Sequence, residues 1–149
     1  MSDRISLTIE DGVADVRLNR PDKMNALDPA MFEALLEVTD KLARKHELRA
    51  VVLSGEGRAF CAGLDMNSMV ELASAADKPG LNQQLNPRNL HQRSHGLANA
   101  FQQVAWAWHE LPVPVIAALH GVAYGGGLQI ALGADIRLAS ADLKLSVME

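Results

Sequence analysis

At 149 residues, 48% of them hydrophobic and 21% charged, the chain is long enough for one domain with a substantial core and short for two. Its 14 lysines and arginines are dispersed among 18 acids for a formal net charge of −4, with no basic block of the kind that holds nucleic acid. The start, "MSDRISLTIEDG", has no basic segment leading into an apolar one, and no stretch approaches a membrane span, so a cytoplasmic protein is the expectation.

In chain order, "ISLTIEDGVADVRL" alternates Ile5, Leu7 and Ile9 with polar residues, turns at Asp11-Gly12 and resumes with Ala14, Val16 and Leu18, which predicts an antiparallel hairpin. A loop follows, and Asp28-Pro29 is an N-cap with a first-turn proline. Met31, Leu35, Val38 and Leu42 then recur at helical spacing and predict about four turns of helix. The run Ala50 to Leu53, closed by Ser54-Gly55, suits a buried strand better than a half-exposed one.

From Ser68 to about Asn99 the composition shifts to Ala, Asn, Gln, Lys, Pro and His, broken at Pro79-Gly80 and Pro87. Residues 68–99 are read as an inserted, mobile surface segment with helical pieces, inside a single domain of residues 1–149. Phe101 to His109 is predicted helical, stopped at Pro112 before a second buried strand, Val115 to Leu119. A glycine run opens a helix ending near Leu132, and "DIRLAS" supplies a third strand. Strands alternating with helices imply right-handed crossovers and an α/β core.

Two stretches carry chemistry. "GEGRAFCAGLD", Gly55 to Asp65, leaves a buried strand through small residues that let a ligand approach the backbone. It is neither a dinucleotide fingerprint, since GxGxxG fails at Phe60, nor a P-loop, since no Gly-Lys-Ser/Thr follows. "YGGGLQ" opens a helix, where free N–H groups and the helix dipole stabilise negative charge. Taken singly, each is as well explained by a tight turn or by close strand-to-helix packing.

Together the two loops resemble those of the crotonase superfamily, which includes the enoyl-CoA hydratases and isomerases. "VRLNRPDKMNALD" is similar to its N-terminal signature, "GRAFCAGLD" to its first oxyanion loop and "GVAYGGGLQIALGADI" to its second. The resemblance covers essentially the whole chain and implies an α/β spiral of ββα units. It also implies a C-terminal helical region that covers the acyl pocket and contributes to trimers; the chain is expected to stop before it, as a shortened form of uncertain activity. An acyl-CoA is the implied substrate, with no permanently bound cofactor, and a homo-oligomer, trimer or dimer of trimers, is expected, with no nucleic-acid or membrane partner.

Residue by residue, the resemblance assigns the backbone N–H groups of Leu64 and Gly126 to the thioester oxygen, where two preset donors would favour an enolate. Coenzyme A is implied against Lys23, Met24, Ala26 and Leu27, and against Ala62, Gly63, Asp65, Met66 and Gly125. Arg20 and Lys23 are candidate phosphate partners, although solvated loop charges are the commoner case. Where the hydratases carry two glutamates, this chain has Gln129 at the first position and Glu149, its last residue, at the second. An amide cannot serve as a carboxylate base. Glu149 is therefore the candidate acid/base, and single-carboxylate double-bond isomerisation is favoured over hydration. Hydration, and a non-catalytic CoA-binding or assembly role, remain the alternatives.

No metal site is expected, because Cys61 is the sole cysteine and the five histidines lack HExxH spacing. Cys61 and His120 flank the two loops but read as packing residues. Trp106 and Trp108, two apart on a helix, face different sides and suit packing or a subunit contact.

Overall fold

The computed structural model describes residues 3–74, 85–86 and 90–148. The hairpin forms as β1 (Ile5–Glu10) and β2 (Val13–Leu18), paired antiparallel from Ile5 opposite Leu18 to Glu10 opposite Val13. A short 3-10 turn, Pro21–Lys23, leads to α1 (Pro29–Ala43), whose N-cap Asp28 accepts a hydrogen bond from the Met31 N–H at 2.8 Å. Such a cap is worth about 1 kcal/mol. β3 (Ala50–Gly55) follows, then α2 (Met66–Ser74) and α3 (Ala100–His109). Asn99 and Gln102 close a reciprocal capping box at the start of α3.

β4 (Val115–Leu119), β5 (Val122–Tyr124), α4 (Gly126–Leu132), β6 (Ile136–Ala139) and β7 (Lys144–Ser146) complete the order. The main sheet runs β1-β2-β3-β4-β6, antiparallel only at the hairpin. This is the α/β architecture that strand-helix alternation predicts. Its core holds Val16, Leu18, Val51, Leu53, Val115 and Ala117 of the sheet with Met31, Leu35, Val38 and Trp108 of the covering helices. Phe32 of α1 meets Phe101 of α3 edge-to-face, ring centroids 5.1 Å apart.

The structure differs from the sequence reading in two places, and at β6 it adds what the reading left open. The glycine run does not leave β4: a turn at Gly121 intervenes, and β5 pairs with β7 in a separate two-stranded parallel sheet. β3 is not buried on both faces, since Val51 and Leu53 are sealed in the core while Ala50 and Val52 are half-buried. β6 is an edge strand with every residue exposed, Ile136 and Leu138 included. Of the segment read as a mobile insertion, residues 75–84 and 87–89 lie outside the described residues; its first part is the continuation of α2.

Candidate functional site

Three stretches distant in sequence are laced together by main-chain hydrogen bonds. Leu27 N–H donates to Gly63 O at 2.8 Å and Asp65 N–H to Leu27 O at 3.0 Å, while Ala62 N–H donates to Met24 O at 2.9 Å. On its other side the same loop bridges β5: Cys61 N–H donates to Val122 O at 3.1 Å and Tyr124 N–H to Cys61 O at 3.0 Å. Phe60 to Asp65 is thus an extra strand-like layer between the Met24–Leu27 segment and the chain entering the glycines.

Buried polar side chains brace one end of this arrangement. Asn25 is fully buried in a left-handed conformation, φ 55°, which Asn tolerates better than most residues. Its Nδ2 group lies 2.9 Å from both Glu56 O and Ala59 O and 3.1 Å from Phe60 O, and its Oδ1 accepts from Arg20 N–H at 2.8 Å. Arg20 contacts Asp65 at 2.8 Å and Asp28 at 3.6 Å, and its Nη1 donates to Ala26 O at 3.0 Å. The Asp65 carboxyl is held below the usual carboxylate range by the Ser68 N–H and then by the Arg20 guanidinium, against the opposing effect of burial.

Each glycine of the triplet answers to a different constraint. Gly125 has φ 48° and ψ −119°, a region closed to residues with a Cβ. At Gly126 a Cβ would stand 2.8 Å from Leu27 Cδ1. At Gly127 it would stand 2.5 Å from Cys61 O and 2.7 Å from Cys61 Cβ, so α4 packs directly on the first loop. Cys61 itself is sealed in, its thiol pushed up to about 12 by burial and donating to Asn25 O at 3.1 Å. That makes it an inert packing residue.

The loops and helices enclose a cavity of about 650 Å³. It brings together eight of the residues singled out from sequence: Leu27, Ala62, Gly63, Leu64, Met66, Gly125, Gly126 and Gln129. Among the described residues no acceptor is paired with the main-chain N–H of Leu64 or of Gly126, the latter in the first turn of α4 where helix N–H groups lack partners. Gln129 is exposed at the rim, and its side-chain amide makes no hydrogen bond within the described residues.

Lys23, Met24, Ala26 and Asp65 lie outside the cavity lining, and the N–H groups of Ala62, Ala26 and Asp65 are already engaged. Arg20 is neither a free phosphate partner nor a solvated charge, because its guanidinium is buried in ion pairs. Glu149 lies outside the described residues. His120 holds the first loop through Nε2 against Gly57 O at 2.9 Å. Trp108 is in the core with Nε1 donating to Val104 O at 2.9 Å, while Trp106 is exposed.

Sequence reasoning missed Asn25 and the α3 contribution. Phe101, Val104 and Ala105 line the cavity at i, i+3 and i+4; that spacing is visible in sequence, but what the face looks onto is not. The rest of the apolar wall comes from Phe32, Met69, Leu90, Val147 and Met148. No described lining residue carries a titratable side chain. Among the described residues there is no group of three or more His, Cys, Asp or Glu fit to hold a metal, and no helix is long and apolar enough to cross a membrane.

The family model described as enoyl-CoA hydratase/isomerase matches residues 8–148. The chain belongs to this family. It is 38% identical over 128 residues to "Probable enoyl-CoA hydratase echA12" of Mycobacterium leprae, covering 86% of this chain and 40% of that protein. With the mitochondrial Delta(3,5)-Delta(2,4)-dienoyl-CoA isomerase of Mus musculus it shares 32% over 137 residues, 92% of this chain and 40% of the isomerase. Among solved structures, an enoyl-CoA hydratase/carnithine racemase from Magnetospirillum magneticum superposes with a TM-score of 0.78 at 32% identity, over 97% of this chain and 49% of that one. The fold is that of the crotonase superfamily, and the chain spans half or less of the length of these relatives.

Proposed function

We propose that the cavity binds an acyl-CoA thioester and that Leu64 and Gly126 offer their N–H groups to its carbonyl oxygen. One observation carries this reading: two main-chain donors with no partner among the described residues, from loops more than sixty residues apart, border the same apolar cavity. Charge grows on a thioester oxygen as an α-proton leaves, so donors fixed in advance stabilise the enolate more than the neutral thioester. The apolar surroundings strengthen that effect and suit an acyl chain.

With an amide at Gln129, proton transfer falls to one carboxylate, for which Glu149 is the candidate. A single base that removes a proton on one side of an enolate and returns it at another carbon isomerises a double bond. The relatives named as isomerases and as hydratases leave both outcomes within the family's range. A second reading, CoA binding without turnover, is favoured by the lack of any titratable side chain in the described lining. Lys23, Met24 and Ala26, on the outer side of the first loop, are proposed for the coenzyme A portion, and a trimeric, cytoplasmic protein remains the expectation.

The test is to incubate the protein with a 2-enoyl-CoA, a 3-enoyl-CoA and a saturated acyl-CoA in D2O. Isomerisation of the 3-enoyl thioester, with α-deuteration of the saturated one, is expected, and Gly126→Asp should abolish thioester binding. Rapid hydration of the 2-enoyl-CoA without isomerisation would overturn the preference for one base. Thioester binding unaffected by Gly126→Asp would overturn the oxyanion assignment.

A further inference from the structure

The N–H groups of Leu64 and Gly126 belong to peptide units whose carbonyls are themselves occupied. Gly126 N–H shares its peptide with Gly125 O, which accepts from Gln129 N–H at 3.0 Å as the first rung of α4. Leu64 N–H shares its peptide with Gly63 O, which accepts from Leu27 N–H at 2.8 Å. The carbonyl and N–H of a trans peptide point in opposite directions, so a donor seated on Gly63 O fixes where Leu64 N–H points on the far side of the unit. Leu27 fixes it twice, because its own carbonyl accepts from Asp65 N–H at 3.0 Å in a parallel bridge to Leu64. Both bonds use the residues flanking Leu64, which turns Leu64 N–H away from the Met24–Leu27 segment.

Cys61 N–H also faces away from that segment, toward Val122 O. Strand alternation would put residues three apart on opposite sides, and Gly63, at φ 89°, supplies the flip that brings Leu64 N–H to the side of the glycine run.

The line of donors continues behind Leu27. Leu27 N–H shares its peptide with Ala26 O, which accepts from Arg20 Nη1 at 3.0 Å. The guanidinium, the Ala26–Leu27 peptide and the Gly63–Leu64 peptide thus form one hydrogen-bonded chain that ends at Leu64 N–H, for which there is no acceptor among the described residues. Each peptide accepts at oxygen and donates at nitrogen, so each bond polarises the next. A cation heads the chain, and charged donors make hydrogen bonds about twice as strong as neutral ones. Arg20 Nη2 meets Asp65 at 2.8 Å and Nε faces Asp28 at 3.6 Å, so three nitrogens of one planar group have three separate partners. The side chain is only 11% exposed, which leaves water little part in the relay.

We infer that Arg20 is a positioning residue that aims and polarises Leu64 N–H toward the thioester oxygen through two peptide groups. This rests on the acyl-CoA reading of the cavity. The second donor is backed by the rung at Gln129, whereas the first, in a loop, is backed by a buried cation. Charge grows on the oxygen as the α-proton leaves, so a more polarised donor favours the transition state more than the bound thioester.

Butyryl-CoA carrying 13C at the thioester carbon is the probe, read by the infrared shift of its C=O stretch on binding, by calorimetry and by α-deuterium exchange in D2O. The parent protein should lower the stretch. Replacing Leu27 by its α-hydroxy analogue turns the Ala26–Leu27 link into an ester with no N–H. Cooperative strengthening is about 10–30% per bond, so this should remove about that fraction of the shift. Loss of a whole donor costs about 10²–10³ in rate, so exchange should slow about two- to eightfold with affinity changed less than about twofold. Arg20→Met should act in the same direction, but it strips the cation from Asp65 and Asp28; the ester leaves those charges in place and decides the matter if Arg20→Met does not fold. Asp65→Asn separates the relay from stability: it removes the ion pair and spares the bond to Ala26 O, so the less stable protein should keep the full carbonyl shift.

An undiminished shift in the ester and Arg20→Met proteins overturns the proposal. So does a shift that falls in Asp65→Asn as it does in Arg20→Met, since Arg20 would then act only as half of an ion pair. Failure of butyryl-CoA to bind the parent, or binding with no change in its stretch, would instead bring down the acyl-CoA or oxyanion reading and the relay with it.

Discussion

The two loops that meet at the cavity are held by opposite means. The first, Gly55 to Asp65, is fixed by polar side chains taken out of water: Asn25 spans three of its carbonyls, and Arg20 ties Asp65 to the segment before α1. The second, Tyr124 to Gln129, is fixed by main-chain bonds to Cys61 and Ser146 and by the absence of side chains where Gly127 rests on Cys61. A network can hold a loop firmly, but every member then needs its partners. Close packing needs no partners and tolerates no added atoms.

The largest effect is expected from removing the centre of the network. Asn25→Ala strips hydrogen bonds from three carbonyls, two of them through buried contacts, and places a residue with a Cβ and no local hydrogen bond at φ 55°. Unsatisfied buried groups cost about 1–3 kcal/mol each and a left-handed residue about 1–2 kcal/mol, so a loss of at least about 3 kcal/mol is expected from urea unfolding. Asn25→Gly should recover only the conformational part. A glycine variant as stable as the parent would mean that backbone strain, and not the hydrogen bonds, carries the cost.

On the other loop, Gly127→Ala gives an effect of opposite origin. Within a helix, alanine is favoured over glycine by about 1 kcal/mol, so on propensity alone the substitution stabilises. The added Cβ would stand 2.5 Å from Cys61 O, and overpacking of this kind costs about 1–3 kcal/mol. A net destabilisation of up to about 2 kcal/mol is expected, with thioester binding weakened because α4 is pushed off the first loop. A variant as stable as the parent would show that α4 has room to shift and that the contact does not fix the cavity.

This contrast also governs what could be read from the sequence. The hairpin, α1, α3 and β4 are legible because caps, breakers and periodicity act within a few residues, as Asp28-Pro29 shows. β5 and β7 are not, because three-residue strands carry too little pattern and pair across residues 122–124 and 144–146. The exposure of β6 was equally hidden, since "DIRL" reads the same in the middle of a sheet as at its edge. At the site, glycines and small residues advertise close approach, so both loops stood out. Arg20 did not: a charged residue in a loop looks solvated until Asp28 and Asp65 arrive from elsewhere. Asn25 was equally silent because its partners are carbonyls, which leave no mark on composition.

The smallest effect isolates one arm of the network by its pH dependence. Asp65 has a depressed pKa, caused first by the Ser68 N–H and then by Arg20. A carboxyl that is more acidic folded than unfolded adds stability above its unfolded pKa, and this contribution is lost as pH falls through the folded value. Asp65→Asn can retain the bond from Ser68 N–H but loses the charge facing Arg20, so it should be less stable than the parent by about 1 kcal/mol at neutral pH. The gap should stay constant down to the ordinary carboxylate value of 3.8 and narrow only below it. Urea midpoints of the two proteins between pH 7 and pH 3 measure this directly. A gap that does not narrow below 3.8 would mean that Asp65 titrates as a solvent-exposed carboxylate, and the first loop would then owe its position to Asn25 and the main chain, making the two loops less different than their side chains suggest.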